Sequence, residues 1–192
     1  VAGAEGMESF ELSPAGDKLM FIKSVKAAQK PTDVYADLDK SSGRTYTDLM
    51  YRHWDHFVEE VPHTYVASFD GAKVNGIIDI LAGDKANPET EDKKFELPTL
   101  PFGGLEQLSW SPDGKYIAYS CRKLVGKKYA FSTNTEIYIY NVETSETSVT
   151  DMKGGYDTDP VWSPDGSKIA WISMERDGYE ADKQRLMMAY VN

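Results

Sequence analysis

The run LSWSPDGKYIAYSC, from Leu108 to Cys121, constrains this chain more than any other stretch. It reads as an apolar strand entry at Leu108 and Trp110, a turn at Ser111-Pro112-Asp113-Gly114, and a return in which Tyr116, Ala118 and Ser120 alternate with Ile117, Tyr119 and Cys121. Side chains on a pleated strand point to opposite faces in turn, so a two-residue period on both sides of a Pro-Asp-Gly turn predicts a β-hairpin. Each turn residue has its own reason. Proline presets φ, aspartate bonds local backbone N–H groups, and glycine takes the positive φ that other residues resist. The phrase recurs as VWSPDGSKIAWIS from Val161 to Ser173 and, with Pro14-Ala15-Gly16-Asp17 in the turn, as FELSPAGDKLMFIKS from Phe10 to Ser24.

Aligned on Ser13, Ser111 and Ser163, the copies lie 98 and 52 residues apart. A repeat of roughly 40 to 50 residues marks a β-propeller, whose blades are four-stranded sheets. The longer interval reads as one enlarged blade. HTYVASFDGAKVNGIIDI from His63 and EIYIYNVETSETSVTDM from Glu136 share a strand, polar turn, strand register, and each supplies the outer half of a blade whose inner half is a serine-proline hairpin. The expected fold is therefore all-β, an open propeller segment of about three four-stranded antiparallel blades. Blade one spans about 7–81 with a long insertion at 26–47, and a proline-rich inter-blade loop follows at 82–104. Blade two spans about 105–152, and an incomplete blade three about 155–192. Three blades do not close a ring, since propellers have roughly four to eight.

A hydrophobic fraction of 41% is that of a globular chain, and a formal net charge of −10 argues against a nucleic-acid face, which needs concentrated Lys and Arg to neutralise phosphates. The single cysteine, Cys121, excludes an internal disulfide and reads as a small buried hydrophobe. No run approaches the roughly 18 apolar residues of a membrane span. The start, VAGAEGMESF, lacks both an initiator methionine and the basic-then-hydrophobic pattern of a signal peptide, which points to a processed form or a piece of a longer polypeptide.

The repeated WSPDGxxIA hairpins, Trp110 to Ala118 and Trp162 to Ala170, resemble the propeller repeats shared by the prolyl oligopeptidase family of serine peptidases and the Tol-system periplasmic propeller protein. Asp48 to Asp55, DLMYRHWD, is sharper. It resembles a phrase in the propeller of bacterial dipeptidyl-peptidase and acylaminoacyl-peptidase members of that family, where it also follows an enlarged loop. The resemblance implies a non-catalytic propeller that gates and anchors peptide substrate for an α/β-hydrolase domain, in a periplasmic or secreted parent. That domain would bring the serine, histidine and aspartate of acyl transfer. The Gly-x-Ser-x-Gly nucleophile elbow does not occur in this sequence, so the catalytic domain and the remaining blades are expected elsewhere in the parent polypeptide. The alternative is a non-enzymatic, Tol-type propeller that binds proteins.

Glu59-Glu60 is the candidate substrate-binding pair. Some dipeptidyl peptidases of the family hold the substrate's free α-amino group with two propeller glutamates, and charge-assisted pairing would set cleavage two residues in. The competing reading places both at a solvated hairpin tip before Val61-Pro62. Arg52, His53, Trp54 and Asp55 are expected to serve packing or an interdomain contact, through the large area of the indole and the carboxylate-pairing guanidinium. His53, His56 and His63 with Asp55 fit no standard metal spacing, and Asp151, Asp157 and Asp159 lack the spacing of a calcium loop. No metal or cofactor is expected. Trp110, Trp162 and Trp171 read as sheet-packing residues.

Overall fold

In the computed structural model, which describes residues 2–82, 95–150 and 154–191, β1 (Ser9–Leu12) and β2 (Lys18–Lys26) pair antiparallel with Leu12 opposite Leu19. The chain then leaves the sheet. Residues 27–59 hold one helical turn, α1 (Pro31–Val34), and a small separate hairpin of β3 (Arg52–His53) and β4 (His56–Phe57). It rejoins as β5 (Glu60–Phe69), which pairs with β2 from Lys18↔Ser68 to Lys26↔Glu60, and β6 (Val74–Asp79) completes the order β1-β2-β5-β6. The second sheet holds β7 (Leu108–Trp110), β8 (Tyr116–Cys121), β9 (Glu136–Asn141) and β10 (Thr147–Val149) in sequential order, with a short helix, α2 (Gly126–Phe131), between β8 and β9. The third holds β11 (Tyr156–Trp162), β12 (Lys168–Met174) and β13 (Arg185–Tyr190). The fold is the open, all-β propeller segment that the repeats predict.

The run 48–57 has no clear period because it is neither a blade strand nor a helix. Two strands of two residues each are too short to show one, and the hairpin lies outside the blade sheets. The ordered part of the first blade also runs further than its apolar residues suggest. β2 continues through Lys26, where main-chain pairing with β5 extends past the buried core.

The sheets pack face to face, and β8 shows how the two-residue period achieves this. Ile117, Tyr119 and Cys121 lie in one core with Met20, Ile22 and Val66 of the first sheet. Ala118, between them in sequence, lies in another with Trp162, Ile169 and Trp171 of the third. Burial of each large apolar side chain contributes on the order of 1.5–3 kcal/mol, so these two seams dominate the cohesion of the chain. Trp110, Trp162, Trp171 and Cys121 are all buried in them. Polar ties lie along the second seam. Trp162 Nε1 donates to Ser109 O at 3.1 Å, and the Ser120 and Thr135 hydroxyls both donate to the Asp157 carbonyl.

Antiparallel alternation sends the connections to two opposite ends. At one end the serine-proline turns stand side by side. A Cβ on Gly114 would lie 3.7 Å from Pro14 and Ser13, and one on Gly166 3.7 Å from Pro112. Both glycines have the positive φ the turn requires, 66° and 72°. At the other end lie the longer connections: 27–59, the link between β6 and β7, the α2 segment, and 175–184. Replacement of Trp162 by Phe keeps most of the buried area and removes the indole donor to Ser109. It should cost about 1 kcal/mol in urea unfolding, the net value of one hydrogen bond.

Candidate functional site

The long connections meet around Glu96. Its side chain is 4% exposed, and its carboxylate accepts from His53 Nε2 of β3 at 2.6 Å and from the Tyr129 hydroxyl of α2. A carboxyl group at this depth needs such partners, because a buried polar group left without them costs about 1–3 kcal/mol. Burial and the neighbouring Glu96 push the Tyr129 hydroxyl far above its usual pKa, so it stays a donor. The Arg122 guanidinium stacks over the Tyr129 ring, 4.6 Å from its centroid. The main chain beside Glu96 is pinned as well, by Leu97 N to Pro62 O at 2.9 Å and Thr64 Oγ1 to Leu97 O at 3.0 Å.

One carboxylate thus ties together the inserted hairpin, the inter-blade link and the helix of the second blade. Close approach of the insertion to α2 also explains Gly126, whose φ is 60°: a Cβ there would meet the Asp48 carboxylate at 2.6 Å. A second clasp joins the connections of blades two and three. The Asp177 carboxylate accepts from Ser132 Oγ at 2.8 Å and Thr133 N at 2.7 Å, and Gly178 N donates to Thr133 Oγ1 at 2.8 Å.

DLMYRHWD divides along this geometry. His53 is buried against Glu96, while Trp54, next in sequence, is 73% exposed with φ at 42°. Trp54 meets Phe102 of the inter-blade link edge to face, with ring centroids 5.0 Å apart. Arg52 stands over the Phe57 ring across the hairpin, and Asp55 bonds His56. His63 is separate from His53. It is buried in β5, with Nδ1 2.7 Å from Asp79 Oδ2. Among the described residues no group of three or more His, Cys, Asp or Glu converges as a metal site would require. Asp151 and most of the loop expected at 82–104 lie outside the described residues.

The two candidate glutamates have different surroundings. Glu59 pairs with Lys30 Nζ at 3.0 Å and with the Arg44 guanidinium, which together hold its carboxyl below the usual range. These pairs fasten the insertion, in which Arg44 also covers the Phe57 ring and Tyr46 stacks on it. Glu60 opens β5 opposite Lys26, is exposed, and makes no side-chain hydrogen bond or ion pair among the described residues.

Glu96, Tyr129 and Arg122 are not legible as a site in the sequence. The one available signal is a lone carboxyl between the apolar Phe95 and Leu97, and the acidic stretch before it conceals that.

The chain is 45% identical over 185 residues to dipeptidyl-peptidase 5 of Porphyromonas gingivalis and 42% identical over 184 residues to that of Porphyromonas endodontalis. It is an open propeller segment similar in sequence to part of these dipeptidyl-peptidases. The Porphyromonas gingivalis match takes in 96% of this chain and 26% of the relative, so the chain spans about a quarter of the length of the curated relatives it matches. A fungal dipeptidyl-peptidase 5, from Arthroderma otae, is 31% identical over 201 residues. No family model matches. Among solved structures, the acylaminoacyl peptidase of Pyrococcus horikoshii superposes on 97% of the chain and 24% of its own length, with a TM-score of 0.56 at 12% identity, a likeness of fold. TolB of Acinetobacter baumannii aligns over 95% of the chain and 29% of its own length, with a TM-score of 0.43 at 15% identity.

Tyr129→Phe removes one donor to a buried carboxylate while leaving His53 in place, and should lower stability by about 1.5–3 kcal/mol in denaturant unfolding. The tie at Glu59 has a calculable pH window. Because its folded pKa is depressed, the pairing is fully present above the ordinary value of 4.5 and is lost as pH falls through the lowered one. A carboxyl-carbon NMR titration should place the Glu59 midpoint below 4.5, and Arg44→Ala should move it upward.

Proposed function

We propose that this chain is the non-catalytic propeller portion of a serine exopeptidase that removes dipeptides or blocked amino acids from peptide N-termini, and that it gates and anchors the substrate. The observation that carries the reading is 45% identity to a dipeptidyl-peptidase 5 over 96% of the chain, too extensive for a shared repeat alone. In this reading the attacking serine and its histidine belong to a part of the parent outside this chain, and the parent works in a periplasmic or secreted setting. Among the described residues no helix is long and apolar enough to cross a membrane.

The propeller's share of the work is recognition. A free peptide amino terminus is a cation, and a carboxylate already neutralised by two side chains has little left to offer it. Glu59 is in that position and Glu60 is not, so Glu60 is the member of the pair assigned to the substrate ammonium, with Glu59 fastening the insertion that flanks it.

The test uses the full-length polypeptide with dipeptidyl chromogenic substrates, free and N-acylated. Release of the chromophore from the free-amino substrates, abolished by a serine-directed phosphonate, is the expected result. A full-length protein that hydrolyses neither set would leave the protein-binding propeller as the better account. Glu60→Gln should raise KM for the free-amino substrates roughly 10-fold or more with little change in kcat, since a hydrogen bond to a charged group contributes about 1.5–3 kcal/mol. An unchanged KM would remove Glu60 from the anchor.

A further inference from the structure

A chain with a net charge of −10 offers its cations many carboxylates, and most of the arginines take one. Arg44 pairs with Glu59, Arg176 with Asp182 at 3.0 Å, and Arg185 with Glu175 at 2.7 Å. Arg52 is exposed, where water can satisfy it. Arg122 differs from all four. It is half-buried, and among the described residues its guanidinium makes no hydrogen bond and no ion pair. Its Nε is buried without an acceptor. A buried donor left unpaired costs free energy, so its persistence needs a reason.

The local structure keeps this guanidinium open. Arg122 follows β8 directly and lies flat over the Tyr129 ring, 4.6 Å from the centroid. That ring is fixed in turn by the bond from its hydroxyl to Glu96. Glu96 has nothing left for the arginine, because Oε1 is taken by His53 and Oε2 by Tyr129. Stacking uses a face of the guanidinium, whereas its N–H donors project from the edge, so the fork stays free for an acceptor in its own plane.

The neighbouring sequence is cationic. RKLVGKK, from Arg122 to Lys128, holds four cations and no carboxylate. Lys123 turns inward, with Nζ 3.5 Å from the centroid of the Tyr138 ring. Lys127 and Lys128 of α2 are exposed and make no ion pair among the described residues. Asp48 approaches α2 at Gly126, but its carboxylate bonds Leu49 N. Uncompensated cations gathered on one surface of an acidic chain attract anions to that surface.

We infer that Arg122 is the centre of a carboxylate-binding site for the peptide substrate, with Lys127 and Lys128 drawing the anion towards it. A peptide carries a carboxylate at its C-terminus or on an Asp or Glu side chain, and the fork receives either in the same bidentate geometry. The preferred substrate class is then a short peptide with a carboxylate downstream of the cleaved bond. The inference rests on the peptidase reading above and gives the substrate's negative group a partner, as Glu60 does its ammonium.

Isothermal titration calorimetry of the full-length protein with uncleavable tetrapeptides, in which the second peptide bond is reduced, reads the site without turnover. Three matched ligands are compared: a C-terminal acid, the corresponding C-terminal amide, and that amide with Glu in third place. At least one of the two carboxylate peptides should bind roughly 10-fold tighter than the plain amide, and which one does separates the C-terminus from an acidic side chain. Arg122→Gln should abolish the advantage. Arg122→Lys, which keeps the charge without the fork, should retain only part of it. Lys115→Ala at the turn end should leave it whole. Equal affinity for the three peptides in the wild type, as when another part of the polypeptide already fills the fork, overturns the proposal without any variant. So does a failure of all three to bind, or an advantage that either Arg122 variant keeps in full. Hydrolysis of dipeptidyl chromogenic substrates by the same sample tests the peptidase reading separately: turnover without a carboxylate preference removes only this site, and a carboxylate preference without turnover removes only the peptidase.

Discussion

A four-stranded sheet whose residues alternate in polarity too weakly to leave one face wet must be covered on both sides. That constraint organises this chain. β8 sends Ile117, Tyr119 and Cys121 to one neighbour and Ala118 to the other, so each sheet is the cover for the next. Face-to-face packing uses the broad surfaces and leaves only the two ends of each sheet for anything else. The serine-proline turns occupy one end and keep it short and polar. Insertions are then confined to the other end, and the hairpin 52–57, α2 and 175–184 all fall there.

Placing the insertions together does not by itself give them a common shape. That is the contribution of Glu96 and Asp177. Each is a carboxylate that accepts from groups on a different connection, so each converts adjacent loops into a joined surface. The two differ in environment. Glu96 is buried, and loss of its partners would leave polar oxygens unpaired in an apolar setting. Burial would raise the Asp177 carboxyl, yet hydrogen bonds from Ser132 and Thr133 outweigh it and hold the group below its ordinary pKa. A recognition surface on such a scaffold is positioned by the blades and stiffened by the clasps, as expected where function rides on loops carried by a rigid core.

The blades were legible because their signals are local. Pro112-Asp113-Gly114 specifies a turn, Tyr116 to Cys121 specifies a strand, and repetition at Ser13, Ser111 and Ser163 specifies the architecture. DLMYRHWD stood out by its composition and its resemblance, but its shape was hidden. His53 and Trp54 are neighbours in sequence with opposite fates, one buried against Glu96 and the other in solvent, and no periodicity spans two-residue strands. Glu59 and Glu60 looked equivalent for a similar reason. Only the fold brings Lys30 and Arg44 to one of them.

What the amino-acid sequence determined by itself is therefore the all-β class and the repeated antiparallel hairpins, since hydrogen-bonding turns and two-residue alternation act over a few residues. What the tertiary structure alone decided is which residues from distant stretches share a site. Glu96 lies 43 residues from His53 and 33 from Tyr129. Bonds across such separations follow from how sheets stack and where their connections emerge, a geometry that no local pattern encodes.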